Sequence, residues 1–303
     1  MHSPTQSAAN DPKRRELVMT LAYRYGWKDL AVFANSLKAS NFKGDFVVFS
    51  AAQDRTAVET MRAQGIIVIP VFLPLYRLHN VFLLPGWAPY RALFRSLPGF
   101  RWKQSLGKFL FSLMCARFAH FHDYLVRHRD RYDRVALADV RDVVFQTEPF
   151  AQLGDHRLVS FLEDRPIRDS ELNRAWVIET YGESGSQHLM DKTVVCAGVT
   201  LGTTEAMEAY LCRMLEGMFA AKKMHPVSGT DQAIHNEIFH SGLAGDCTML
   251  ANGNPLCLTM GPGEPFIFDD AKRVTNDSQV ISILHQYDRH PELKQVMNER
   301  FGN

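Results

Sequence analysis

Asp133-Arg-Val-Ala-Leu-Ala138 is a short apolar run, and it ends on Asp139-Val-Arg141-Asp142. Such a run, bounded by charged residues, reads as a buried strand. Acids at its carboxyl end stand where open α/β sheets bind their ligands. The pattern repeats on both sides. Upstream, Leu17–Ala22, Asp45–Ser50 and Gly65–Val71 read as strands, the second introduced by Lys43-Gly44. Between them, Lys28–Lys38 and Thr56–Gln64 carry apolar residues at helical spacing. Strands alternating with helices predict a mostly parallel central sheet flanked by helices. Downstream, Arg157–Leu162, Thr193–Val199 and Val280–Leu284 read as further strands. Helices are expected near Ser170–Tyr181, over Glu205–Lys222, from about Thr230, and over Pro291–Phe301. The expectation is one α/β domain over residues 17–303, with no internal repeat and no low-complexity linker.

Composition narrows the function. Hydrophobic residues make up 46% of 303 residues, enough for a sizeable core. Lys plus Arg is 34 and Asp plus Glu 33, a net charge of +1. That balance argues against a nucleic-acid binder, which needs a broad basic footprint. The five cysteines include no Cys-x-x-Cys pair. Neither a disulfide framework nor a zinc–cysteine site is expected, and a reducing, cytoplasmic setting fits. Residues 1–16 are polar, lack the apolar stretch of a signal peptide, and read as a disordered lead-in. No run reaches the ~18 apolar residues of a spanning helix.

Residues 72–111 interleave Arg91, Arg95, Arg101, Lys103 and Lys108 with Trp87, Phe94, Phe100, Trp102, Phe109 and Phe111. Two readings stand. One is a basic, aromatic face for a membrane surface or lipid-linked acceptor. The plainer one, favoured by the prolines that break the amphipathic pattern, is a helical insertion with aromatic core contacts and a solvated rim. A long helix is expected next, over about Ser105–Arg129. His120 and His122 look like a metal pair, but residues two apart on a helix do not share a face.

Asp139 and Asp142 carry the chemistry. Neighbouring carboxylates repel unless a cation or an arginine lies between them. Hard divalent ions such as Mg²⁺ and Mn²⁺ favour oxygen ligands and often bridge substrate phosphates. The plain alternative is a turn in which Asp139 caps the next segment and Arg141 pairs with Asp142.

The stretch Asp139-Val-Arg-Asp-Val-Val-Phe-Gln-Thr-Glu-Pro-Phe150 resembles the Asp-x-Asp region of GT-A glycosyltransferases. Leu21-Ala-Tyr23-Arg-Tyr25, Arg117-Phe118, Cys196-Ala-Gly198-Val-Thr-Leu-Gly202, Gly229-Thr-Asp231-Gln232 and His285-Gln-Tyr-Asp288-Arg extend the likeness over most of residues 17–300. The resemblance implies a GT-A-like fold with a small helical insertion before the acidic motif. It implies transfer of a sugar from a nucleoside diphosphate donor, a UDP-sugar, to a glycan or glycolipid hydroxyl. Asp139, Asp142 and His285 would hold Mn²⁺ or Mg²⁺. Tyr23, Tyr25, Arg117, Arg141 and Gly198 would line the donor site. Asp231 and Gln232 would act at the reacting sugar, with Glu163 and Asp164 as a second candidate pair for base or sugar binding. Each has a plain alternative: a strand-end histidine, a helix N-cap at Asp231, a solvated turn at Glu163-Asp164. The family motif has an acid where this chain has Arg141, so the guanidinium fork is a rival phosphate contact. A nucleotidyltransferase or an inactive nucleotide-sugar-binding protein of the same fold are the alternative functions. Whether transfer inverts or retains the anomeric centre stays open at this level.

Overall fold

The structure, a computed structural model, describes residues 15–51, 54–71, 87–225, 229–261, 265–277 and 279–303. The lead-in expected at residues 1–16 falls almost wholly outside these residues, as does the first part of the segment 72–111.

The first half runs β1 (Glu16–Tyr23), α1 (Trp27–Ala39), β2 (Asp45–Ala51), α2 (Arg55–Ala63) and β3 (Ile67–Pro70). Three helices follow, α3 (Ala88–Ser96), α4 (Phe100–Leu110) and α5 (Leu113–His128), before β4 (Arg134–Ala138) and β5 (Val143–Phe145). The second half holds β6 (Leu158–Pro166), α6 (Glu171–Tyr181), β7 (Thr193–Thr203), α7 (Thr204–Ala220), α8 (Thr230–His240), β8 (Thr248–Leu250) and β9 (Cys257–Thr259). β10 (Ile267–Phe268), β11 (Val274–Asn276), β12 (Gln279–Val280), β13 (Ile283–His285) and α9 (Pro291–Phe301) complete it.

Seven strands form the central sheet in the order β3-β2-β1-β4-β7-β6-β8. It is parallel except for β7, which runs against both β4 and β6. β1 shows why the sequence reads as a continuous apolar run rather than an alternating one. Side chains alternate between faces, yet both faces are covered. Leu17 and Met19 pack into one core with Phe118 and Phe121 of α5 and Tyr210 and Met214 of α7. Val18 and Ala22 pack into the other with Phe33 and Leu37 of α1. Removing such a buried Leu costs about 2–5 kcal/mol. The helix starts are satisfied locally: Asp29 accepts from the Gly26 N–H at 2.8 Å, and Asp54 from the Ala57 N–H at 2.6 Å.

Three elements differ from expectation. The helix expected over Ser105–Arg129 is two helices, because Phe111 takes an extended backbone and turns its ring into the core with Trp87, Phe94 and Phe219. Gly107 makes the room: a Cβ there would lie 2.6 Å from the Phe111 ring. β6 extends to Pro166, so Glu163 and Asp164 are strand residues rather than a turn after one. The strand expected at Val280–Leu284 is divided, Val280 ending β12 and Ile283 opening β13. The five cysteines are free. Among the described residues, no helix is long and apolar enough to cross a membrane.

At the amino end of the sheet, Arg134 pairs with Glu16, and Glu148 feels both charges. Burial, with the Glu16 charge added, pushes the Glu148 carboxyl up to about 7. A proton held more tightly folded than unfolded stabilises the fold below the ordinary glutamate range; that stability is lost as pH rises through the folded value. Glu148→Gln keeps an acceptor for the Phe150 N–H. It is expected to raise the melting temperature at about pH 8 by about 3 °C and to leave it unchanged at about pH 4. Melting curves at the two pH values check this; equal shifts at both would rule out titration as the cause.

Candidate active site

Asp139 follows the last residue of β4, and its N–H donates to the Gly198 carbonyl of β7 at 2.9 Å. That bond extends the β4–β7 ladder by one residue beyond Ala138. The chain then turns through the buried Val140 into β5. β5 pairs antiparallel with β13, setting Val143 opposite His285, and β13 pairs parallel with β9, setting His285 beside Thr259. This small second sheet is what carries a residue near the end of the chain to the acidic motif. Asp142 Oδ1 lies 3.9 Å from His285 Nε2, and the Gln286 N–H donates to the Asp142 carbonyl at 2.6 Å. One donor atom each of Asp139, Asp142 and His285 lies within 4.8 Å of the other two.

His285 is 2% exposed. Its Nδ1 faces Thr259 Oγ1 at 3.3 Å and Cys196 Sγ at 3.4 Å, leaving Nε2 directed at Asp142. Fixing one ring nitrogen by a neighbouring polar group is how proteins orient a ligating imidazole. Gly198 is the other half of the cradle: a Cβ there would stand 2.2 Å from His285 Nε2. Burial raises the Asp142 carboxyl above its ordinary range, His285 opposes the rise, and the charges of Asp139 and Asp288 add to it. Two carboxylates and one imidazole suit a Mn²⁺-type ion, since carboxylates are hard ligands and imidazole a borderline one.

Arg117, in the second turn of α5, is 7% exposed. Its guanidinium pairs with Asp139 on one side and with Asp231 Oδ2, at 3.1 Å, on the other. Asp231, in the first turn of α8, also accepts from the Gly229 N–H at 3.1 Å. Gln232 is engaged at both ends of its amide: Nε2 donates to the Val195 carbonyl at 2.6 Å, and Oε1 accepts from the Ala197 N–H at 3.0 Å. These bonds pin the start of α8 to the middle of β7.

Around this core lies a cleft of about 380 Å³, bordered by Asp139, Asp142, Glu163, Asp164, Asp231 and Gln232 among others. Burial raises the Glu163 carboxyl, with His285 and Arg165 opposing. Asp164 accepts from Asn252 Nδ2 at 2.9 Å, and Asn252 also bonds the backbone of Thr259. A second groove, of about 170 Å³, opens on the other side of Asp139 and Arg117 and is bordered by Tyr23, Tyr25, Met114 and Arg141. Burial raises the Tyr25 hydroxyl above its usual range. Arg141 reaches toward Asp288 at 3.6 Å and not to Asp142, so the ion-paired turn weighed from the sequence does not form.

The structure thus brings Asp139, Asp142 and His285 together, and gathers Arg117, Asp231, Gln232, Glu163, Asp164 and Gly198 around them. Tyr23, Tyr25 and Arg141 border the neighbouring groove. Sequence reading did not select Trp176, Asn173 or Asn252, which also line the cleft. Trp176 sits over Gly229, whose φ is +112° and whose Cβ would meet the indole at 2.3 Å. A glycine followed by Thr-Asp-Gln and an upstream Trp is too weak a pattern to single out this contact.

No protein-family model and no curated protein matches the chain. Among solved structures it is similar to the galactosyltransferase LgtC in complex with donor and acceptor sugar analogs. The identity is 14%, the match covers 93% of this chain and 95% of that one, and the TM-score is 0.48. It is also similar to an active-site mutant of LgtC, at 13% identity, 92% and 95% coverage and a TM-score of 0.46. At that distance, function has to be read from the residues of this chain.

Proposed function

We propose that the chain is a metal-dependent glycosyltransferase that moves a sugar from a nucleoside diphosphate donor, a UDP-sugar, to an acceptor hydroxyl on a glycan or glycolipid. The observation that carries this reading is the convergence of Asp139, Asp142 and His285 between two adjoining grooves at the carboxyl ends of β1 and β4. Asp139, Asp142 and His285 would hold a divalent ion, Mn²⁺ before Mg²⁺ because imidazole is among the ligands. A bound ion of this kind supplies stabilisation for the charge that builds on the leaving diphosphate.

The chain's own residues do the rest. The groove beside Tyr23 and Tyr25 suits the nucleoside, with the phenol rings as stacking surfaces. Arg141, 61% exposed at the rim of that groove, is available to the diphosphate. Arg117 ties Asp139 to Asp231 through one buried guanidinium, so the metal-binding and sugar-facing sides of the cleft keep a fixed spacing. Asp231 and Glu163 are the carboxylates assigned to the acceptor hydroxyl and its proton. Asp164 and Asn252 are assigned to sugar hydroxyls, and Trp176 to the apolar face of a sugar ring. Gln232 acts from behind, by holding the β7 backbone that carries Gly198.

The test is release of nucleoside diphosphate from a panel of nucleotide sugars, with and without an acceptor glycan, in Mn²⁺ and in EDTA. Turnover of at least one donor that is lost in EDTA and restored by Mn²⁺ is expected. Equal turnover in both conditions would shift the diphosphate contact to Arg141; no turnover or binding of any nucleotide sugar would overturn the reading.

A further inference from the structure

We propose that α3 and α4 form a docking face for an anionic lipid surface. Residues 60–122 contain no Asp or Glu and eight Lys or Arg, in a chain whose acids and bases nearly balance overall. Within the two helices, Lys108 is paired with Asp123 at 2.7 Å. Arg91, Arg95, Arg101 and Lys103 have no carboxylate partner among the described residues, whereas other basic residues such as Arg55, Arg134 and Arg273 do. This is a concentration of uncompensated positive charge on one insertion.

The same helices carry three of the chain's exposed large apolar side chains: Leu93 at 42%, Trp102 at 67% and Phe109 at 45%. Trp102 and Phe109 are seven residues apart on α4 and so share a face. They are not loosely packed core residues. The inward face of α4 is already committed: Gln104 and Gly107 are buried, and Gln104 donates to the Ala119 carbonyl of α5 at 2.9 Å. Phe94 is the inward residue of α3 and stacks on Phe219 at 5.1 Å. The outward Trp and Phe are therefore surplus to folding.

An exposed indole beside unpaired cations, with no acid in the segment, matches the chemistry of a lipid–water interface. Aromatic rings settle at the headgroup level, and Lys and Arg are drawn to anionic headgroups. The patch adjoins the cleft, because α4 passes within two residues into α5, whose Met114 borders both grooves. The docking claim does not depend on the transfer reaction and is tested without it.

The experiment is co-sedimentation of the full chain with phosphatidylcholine vesicles and with vesicles containing about one-third phosphatidylglycerol. Binding to the anionic vesicles should be about tenfold tighter than to neutral ones and should weaken as salt screens it. Two separate variants, Trp102→Ser with Phe109→Ser, and Arg95→Gln with Arg101→Gln and Lys103→Gln, should each lose about tenfold in vesicle binding. Their melting temperatures and nucleotide affinities should match the parent. Equal affinity for neutral and anionic vesicles, no binding to either, or unchanged binding by both folded variants would overturn the proposal. So would conversion of an oligomer to monomer by the Trp102/Phe109 variant, which would make the face a protein interface.

Discussion

Gly198→Ala is expected to remove metal-dependent activity from a chain that still folds. The new methyl would stand 2.2 Å from His285 Nε2 and 2.3 Å from Cε1, far inside van der Waals contact. Neither partner has an easy retreat. The β7 backbone departs from regular pairing with β6 at this point, but it is held beside β4, where the Gly198 carbonyl accepts from the Asp139 N–H, and at Ala197, whose N–H donates to Gln232. The imidazole is buried, with Thr259 and Cys196 behind its Nδ1. The ring must turn or shift, carrying Nε2 away from Asp142. Disturbing the support of a metal ligand costs about 10–100-fold in affinity, and this change displaces the ligand itself, so a loss of about 100-fold in Mn²⁺ affinity is expected. Overpacking adds about 1–3 kcal/mol of destabilisation. Mn²⁺ titration followed by electron paramagnetic resonance reads the first effect and a melting curve the second. Wild-type Mn²⁺ affinity in Gly198→Ala would mean that His285 is a packing residue and not a ligand.

The second large effect is at Asp139, where two substitutions should separate two roles. The carboxylate faces Asp142 and His285 and also pairs with the buried Arg117. Asp139→Asn keeps the shape and an acceptor for the guanidinium but removes the charge. Turnover should fall about 10²–10³-fold, the scale of several kcal/mol of transition-state stabilisation, with little change in melting. Asp139→Ala should lose as much activity and also stability, because Arg117 is left with Asp231 alone. Breaking a buried ion pair costs about 3–5 kcal/mol. With one partner retained and Asp139 partly exposed, about 1–3 kcal/mol is expected here. Near-normal turnover in Asp139→Asn would return the motif to a structural turn.

The sequence and the structure agree best where one physical signal dominates. β1, β2 and β4 are apolar because both sheet faces are covered, and such runs stand out from their polar surroundings. α9 was legible to the residue, since Pro291 marks its first turn and Gly302 its end. The break at Phe111 was not legible: helix periodicity continues across it, and only the fit of an aromatic ring over Gly107 decides against continuity. Asp139 and Asp142 could be picked out from a strand ending on acids. The supporting parts of the site come from long-range pairing that no local pattern encodes. Short strands such as β5, β9 and β13, three residues each, carry too little periodicity to announce themselves, yet they bring His285 to Asp142. Arg117 could be suspected of a role, but a guanidinium bridging Asp139 and Asp231 appears only once α5 is packed against α8.

The most direct measurement is a crystal grown with Mn²⁺ and UDP, with diffraction recorded at the manganese edge. One anomalous peak is expected within coordinating distance of Asp139, Asp142 and His285, with diphosphate oxygens completing its shell and the uracil beside Tyr23 and Tyr25. UDP bound through Arg141 with no anomalous peak among these three residues would contradict it.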